Sequence, residues 1–185
     1  MKMRSSYFFI GMIILLFAGS TNFAQTIPDS LLNKLNHPIN DSAKGITLLE
    51  IGESMEQTVP EKSMQYYTQA LALGQRIKNN QVILFSYIDL GICLINLQKM
   101  DSSIISFEKG IPYAWLLKDT VRVARLLGNI GNAYLHKKDR VTAIDYYLQS
   151  ARLWETCVDQ KYLPVLYSNT SALLDEQKEH NRALE

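Results

Sequence analysis

The stretch that decides the fold is residues 130–147, which read IGNAYLHKKDRVTAIDYY. Gly131 is followed twelve residues later by the small Ala143 and sixteen residues later by the aromatic Tyr147. The polar residues 137–140 separate two segments whose apolar positions recur at the spacings of an amphipathic helix. Because two small residues let a pair of helices approach closely, the stretch predicts a helical hairpin with the aromatic ring beside the contact.

The same pattern returns when the sequence is shifted by forty residues in either direction. The columns that coincide are Ile51, Gly91, Gly131 and Ser171; Ser54, Leu94, Tyr134 and Leu174; Ser63, Ser103, Ala143 and Ala183; Tyr67, Phe107 and Tyr147; and Ala70, Gly110 and Ser150. Agreement in side-chain size over several columns indicates an internal repeat. The first unit is the weakest, because it has Ile51 and Ser54 where a glycine and a large residue are expected.

The columns predict first helices near 44–57, 84–97, 124–137 and 164–177, and second helices near 61–78, 101–118 and 141–158. Pro60 and Pro164 suit the first turn of a helix, while Asp101 and Asn181 are expected as N-caps. A turn is expected at 179–181, before the second helix of a fourth unit. Pro112 falls inside a second helix and is expected to kink it.

The residues Gly131-Asn132-Ala133-Tyr134 and Ala143-Ile144-Asp145-Tyr146-Tyr147 resemble the tetratricopeptide-repeat family, whose unit is a helix-turn-helix of 34 residues. The resemblance covers residues 44–185. It implies an all-α fold, a right-handed α-α superhelix of three complete units and a truncated fourth. The six extra residues per unit are expected to lengthen the second helix and its connection.

Residues 1–24 have the layout of a secretory signal peptide. Lys2 and Arg4 precede an apolar run from Tyr7 to Ala18, and small and polar residues follow as far as Ala24. As a helix, this run reaches only about 18 Å, less than the ~30 Å of a bilayer core. We therefore expect cleavage after Ala24 and export to the periplasm or to the outer face of the inner membrane. Residues 25–43 are expected to form a preamble with a short helix.

A second resemblance concerns the surroundings of the repeats. The segments 29–35 and 41–44, placed between an exported leader and the 40-residue units, resemble the sensor halves of some bacterial membrane-bound signalling proteins. In those proteins a transmembrane helix and a histidine kinase or DNA-binding module follow. Since the predicted fourth unit stops at Glu185, before its aromatic column, we expect this sequence to be a fragment. Two alternatives remain open: an enzyme whose catalytic domain is missing, and a secreted scaffold that self-associates through its uncapped C-terminal end.

The composition argues against several functions. A net charge of +1 gives no electrostatic basis for binding nucleic acid. His37, His136 and His180 are scattered without second ligands, so no metal site is expected. No nucleophile has a catalytic motif around it; we expect no catalytic residue, no cofactor and no enzymatic activity. Cys93 and Cys157 lie in apolar helical patterns and are expected to be free and buried.

The family resemblance implies that ligands bind on the concave face lined by the first helices. Transferred position by position, this face comprises Phe85, Ile88, Ile92, Ile95, Arg125, Asn132, Leu135, His136, Ser168, Ala172 and Asp175. An apolar strip beside Arg125 and Asn132 suits a peptide or an amphipathic helix. Alternatively, Asn129 and Asn132 only support the helix. The family's carboxylate-gripping pattern is absent, because Gly128 stands where it needs a lysine.

The repeat register is testable at Tyr147. If its ring is a core aromatic, Tyr147→Ala should lower the free energy of unfolding by about 3–5 kcal/mol through the cavity left behind. Thermal unfolding measures this loss. An unchanged melting midpoint would refute the register.

Overall fold

The computed structural model describes residues 27–37, 40–157 and 163–184, so the predicted leader at 1–24 lies outside the described residues. All regular structure within these ranges is helical. The helices are α1 Asp29–Asn36, α2 Asp41–Met55, α3 Pro60–Ile77, α4 Asn80–Asn96, α5 Met100–Leu116, α6 Thr120–His136, α7 Arg140–Glu155 and α8 Leu163–Leu184. Each helix packs against the next, and α2 also contacts α4. The all-α prediction is confirmed.

One turn recurs every twenty residues between α3 and α7. A left-handed residue stands at Lys78, Gln98, Lys118 and Lys138, with φ between 54° and 64°. The amide after each of them donates to a carbonyl five residues back, as from Asp119 to Ala114 at 3.0 Å. Asn79, Asp119 and Asp139 then cap the following helix by accepting from its first amides. The helices from α3 to α7 have 16–18 residues each, and the same short connection joins them.

This turn overturns several expectations drawn from the sequence. The first helices start four residues earlier than predicted, at Asn80 and Thr120. The second helices α3, α5 and α7 lie within three residues of their predicted bounds. Asp101 is not an N-cap, because α5 begins at Met100 after Lys99, and the Asp101 carboxylate accepts from Lys137 Nζ at 2.6 Å. The physical reason is that Asn79 and Asp119, which cap the first helices α4 and α6, lie about one helical turn before the start predicted from the apolar columns.

A glycine lies against an aromatic ring inside each helix pair. A Cβ on Gly131 would lie 2.7 Å from Tyr147 Cδ1, and Cβ atoms on Gly91 and Gly52 would overlap the rings of Phe107 and Tyr67. The first unit therefore has Gly52 and the buried Met55 in the columns predicted for Ile51 and Ser54. The prediction was one residue out of register because residues 56–59, which join α2 to α3, form a different turn without a left-handed residue.

The last described helix also differs from the prediction. It runs without interruption from Leu163 to Leu184, so residues 179–181 form no turn and Asn181 is not an N-cap. Pro164 lies in its first turn and Pro60 is the first residue of α3, as predicted. Helix α5 continues across Pro112 to Leu116, and the predicted kink there stays a prediction.

The core is continuous along the array. One buried cluster joins α2, α3 and α4, a second joins α4, α5 and α6, and a third joins α6, α7 and α8. Tyr67, Phe107 and Tyr147 are fully buried, as predicted for the aromatic column. Of the two cysteines, both free, Cys93 is buried but Cys157 is only partly so, which corrects the expectation of two buried thiols.

Two glycines of α6 provide a matched test of the close contact. Gly131→Ala should destabilise the protein by about 1–3 kcal/mol, because its methyl group would overlap the Tyr147 ring. Gly128→Ala should instead stabilise it by up to ~1 kcal/mol, since its Cβ would lie 3.4 Å from Ser150 Oγ and alanine favours the helix. Chemical denaturation of both variants measures the difference. Equal effects would show that the glycine–aromatic contact is not tight.

Candidate functional site

The first helices α2, α4 and α6 together form a groove, here called the central groove. It encloses about 290 Å³ and is lined by Glu53, Phe85, Ile88, Asp89, Ile92, Arg122, Arg125, Leu126 and Asn129. Every lining residue comes from a first helix, because the second helices pack behind them. The groove therefore lies along the face that the family resemblance implied.

A second cavity, here called the lateral pocket, lies between α6, α7 and α8. It encloses about 240 Å³ and is lined by Ala124, Arg125, Gly128, Asn129, Asn132, Tyr147, Ser150, Trp154, Val165, Leu166 and Asn169. Trp154 and Leu166 contribute apolar surface, while arginine and asparagine side chains, with Ser150 and Tyr147, supply the polar groups. Arg125 and Asn129 line both cavities, so the central groove and the lateral pocket adjoin.

The structure brings some of the predicted binding residues together and separates others. Phe85, Ile88, Ile92 and Arg125 line the central groove, and Asn132 lines the lateral pocket. Ile95 and Leu135 pack against buried clusters instead. Exposed positions outside both cavities are His136, Ser168, Ala172 and Asp175.

Sequence reasoning missed the charged and polar members Glu53, Asp89, Arg122 and Asn169. A signal for two of them was present in the repeat. Asp89 precedes Gly91 by two residues, as Asn129 precedes Gly131, and Glu53 follows Gly52 as Asn132 follows Gly131. The signal for Glu53 is visible only when Gly52 stands in the column of Gly91 and Gly131, whereas the predicted register places Ile51 there.

Asn132 has a structural partner. Its Oδ1 accepts a hydrogen bond of 2.6 Å from the hydroxyl group of Tyr147, whose pKa is raised by burial. This bond links α6 to α7 within one unit. The alternative prediction, that Asn132 supports the helices, therefore describes part of its role. Asn129 instead lies at the junction of the central groove and the lateral pocket.

The two arginines of the central groove differ in their contacts. The Arg122 guanidinium pairs with the Asp119 carboxylate in the preceding turn and lies 4.6 Å from the centre of the Phe85 ring. It is thus held in place and partly neutralised by this chain. Arg125 is exposed and has no ion-pair partner among the described residues.

The opposite side of the central groove is acidic. Asp89 on α4 is partly buried, and burial together with the nearby Glu56 and Glu53 carboxylates raises its pKa to about 7. Glu56 is satisfied by this chain, since it accepts from the Tyr67 hydroxyl at 2.8 Å and from Asn96 Nδ2 at 2.9 Å. Asp89 has no ion-pair partner in the described part of the chain.

Two absences apply to residues 27–37, 40–157 and 163–184. No group of three or more histidine, cysteine, aspartate or glutamate side chains there could hold a metal ion. No helix there has both the length and the apolar character needed to cross a membrane.

Solved structures that superpose on this chain identify its fold. The TPR domain of Arabidopsis FLU superposes with a TM-score of 0.59 at 20% identity, over 64% of this chain and 100% of that domain. The apo form of RapI superposes with a TM-score of 0.71 at 16% identity, over 83% of this chain and 43% of RapI. The chain has a tetratricopeptide-repeat fold.

A third structure with this tetratricopeptide-repeat fold is a Rap protein complexed with Competence and Sporulation Factor. It superposes with a TM-score of 0.68 at 15% identity, over 83% of this chain and 43% of the Rap protein. The chain thus spans less than half the length of both Rap structures. Neither a protein-family model nor a curated protein sequence matches the chain.

The raised pKa of Asp89 makes the stability of the tetratricopeptide array depend on pH. Because the folded state holds this proton more tightly than the unfolded chain, the stabilisation is complete below pH ~4 and is lost as the pH rises through about 7. Asp89→Asn should therefore raise the melting midpoint relative to the wild type more at pH 8 than at pH 5. A difference of about 1 kcal/mol corresponds to roughly 2–4 °C.

The matched control is Asp145→Asn, at an exposed position on α7. It should change the melting midpoint by similar amounts at both pH values. If the effect of Asp89→Asn on the melting midpoint is equally independent of pH, the surroundings of Asp89 do not raise the pKa of its carboxyl group.

Proposed function

We propose that this protein is a non-catalytic scaffold that binds a peptide, or a short segment of another protein, in its central groove. The observation that carries the proposal is the groove itself, a concavity of about 290 Å³ formed by three successive first helices. Apolar side chains of Phe85, Ile88 and Ile92 line it between acidic and basic groups. Such a mixture of apolar surface and convergent polar groups is typical of a binding site.

The comparison with the Rap structures supports this proposal without extending to a particular ligand. One Rap protein was solved in complex with Competence and Sporulation Factor, and it shares its fold with this chain. Our proposal is that the shared fold is used here too for recognition of a peptide or protein. Our proposal about the partner is based on the groove of this chain and not on the ligand of the Rap protein.

We further propose that the scaffold is exported and works in the periplasm or on the outer face of the inner membrane. The support is the basic, apolar and small-residue order of residues 1–24. In that location it would serve as an adaptor or as the sensor portion of a larger signalling protein. Immunoblots of cell fractions, with an antibody against residues 84–157, test this. A signal confined to the cytoplasmic fraction would contradict export.

Peptide binding is testable with a displayed library of random peptides. Peptides selected on the wild-type protein should lose at least about tenfold in affinity for Asn129→Trp, because a tryptophan there fills the junction of the two cavities. Isothermal titration calorimetry measures the affinity, and circular dichroism checks that the variant is folded.

Gln149→Trp is the control, since Gln149 lies on the second helix α7 in a different cavity, beside Arg152. This variant should keep the wild-type affinity. Equal binding by Asn129→Trp and wild type would exclude the central groove as the ligand site.

A further inference from the structure

Three charged side chains of the central groove stand out because this chain does not neutralise them. Glu53, Asp89 and Arg125 take part in no ion pair within the described residues. The ion pairs that do form among those residues join Lys34 with Glu50, Arg76 with Asp41, Lys137 with Asp101 and, at the groove itself, Arg122 with Asp119. These unpaired groups are two carboxyl groups and one guanidinium, and they line the same groove on α2, α4 and α6.

The basic side of the groove is Arg125 and not Arg122. Asp119 and the Phe85 ring already engage the Arg122 guanidinium, so a ligand that recruited it would have to replace these contacts. Arg125 takes part in no such ion pair or cation–π contact within the described residues. Asn129 lies beside it and has an amide group at the junction with the lateral pocket. A guanidinium with a neighbouring amide suits a carboxylate.

The acidic side favours an organic cation. Asp89 is partly removed from water and lies near Glu53 and Glu56, so its charged form is costly until a positive charge arrives. A metal ion fits poorly, because no set of three or more suitable ligands occurs among the described residues. An ammonium or guanidinium group needs only the carboxylate oxygens of Asp89 and Glu53, and in a half-buried groove such a pair is screened less than at the surface.

The two sides lie within reach of one short ligand. Glu53 belongs to α2 and Arg125 to α6, with α4 between them. If about 8–10 Å, the spacing of packed helices, separates each first helix from the next, the axes of α2 and α6 lie roughly 16–20 Å apart. An extended peptide covers this distance in about five or six residues at ~3.3 Å each. The apolar floor of Phe85, Ile88 and Ile92 lies along the path.

We infer that the central groove selects a peptide with two opposite charges about five residues apart. A lysine or arginine side chain of the peptide lies at Asp89 and Glu53, apolar side chains lie against Phe85, Ile88 and Ile92, and an acidic side chain or a terminal carboxylate pairs with Arg125. This selectivity rests on the peptide-binding function proposed above and adds its charge requirement.

Four synthetic probes test the requirement. They are acetylated and amidated peptides with alternating valine and serine, which differ only at two positions about five residues apart. These positions carry Lys and Glu, Lys and Lys, Glu and Glu, or Gln and Gln. Fluorescence anisotropy on the full chain should rank the Lys and Glu probe about tenfold above each of the others.

A charge reversal makes the test specific for the groove. Arg125→Glu should change which probe binds best, from the Lys and Glu probe to the Lys and Lys probe. Arg152→Glu on α7 should leave the wild-type ranking unchanged. Both arginines are exposed, so both variants are expected to fold. A library-selected peptide that Asn129→Trp excludes serves as the reference for an intact groove.

The outcomes separate the two proposals. If the reference peptide binds but the four probes bind alike, or if Arg125→Glu leaves their ranking unchanged, the charge requirement is wrong and peptide binding stands. If neither the reference peptide nor any probe binds in the groove, both proposals are wrong.

Discussion

The contact between a glycine on a first helix and an aromatic ring on a second helix is the constraint on which the rest of this structure depends. At Gly52, Gly91 and Gly131 the missing Cβ leaves the space that Tyr67, Phe107 and Tyr147 occupy. Protein interiors are close-packed, so a ring in that space fixes the distance and the rotation of both helices at once. The rotation decides which side chains of each first helix face the second helix and which face away from it.

The recurring turn then decides how the pairs stack. A left-handed residue at 78, 98, 118 and 138 ends one helix and positions the cap of the next. Because the same turn joins helices within a pair and between pairs, the first helices α4 and α6 lie side by side with their outward faces aligned. Side chains forty residues apart in sequence, such as Phe85 and Arg125, are therefore neighbours in the central groove.

The central groove carries electrostatic features that do not serve stability. A half-buried carboxyl near two others, as at Asp89, raises the energy of the folded state at neutral pH. Groups with strongly shifted pKa values concentrate at functional sites, in agreement with the proposed role of the groove. The outer surface differs, since its ion pairs, such as Lys137 with Asp101, are formed by this chain's own residues.

The sequence by itself determined the class of fold, the helical hairpin and the aromatic core, because these follow from local periodicity and from side-chain size at fixed spacing. The family resemblance also implied that Phe85, Ile88, Ile92 and Arg125 share a face. The sequence could not place Gly52 in its column, since a different turn at 56–59 shifts the register by one residue.

Only the tertiary structure decided that Glu53 and Asp89 face Arg125 across one groove, and that Asp119 already engages Arg122. These relations depend on three helices packed together. The physical reason is that helix periodicity records the face on which a side chain lies, whereas distance and burial between helices arise only when the whole array is assembled.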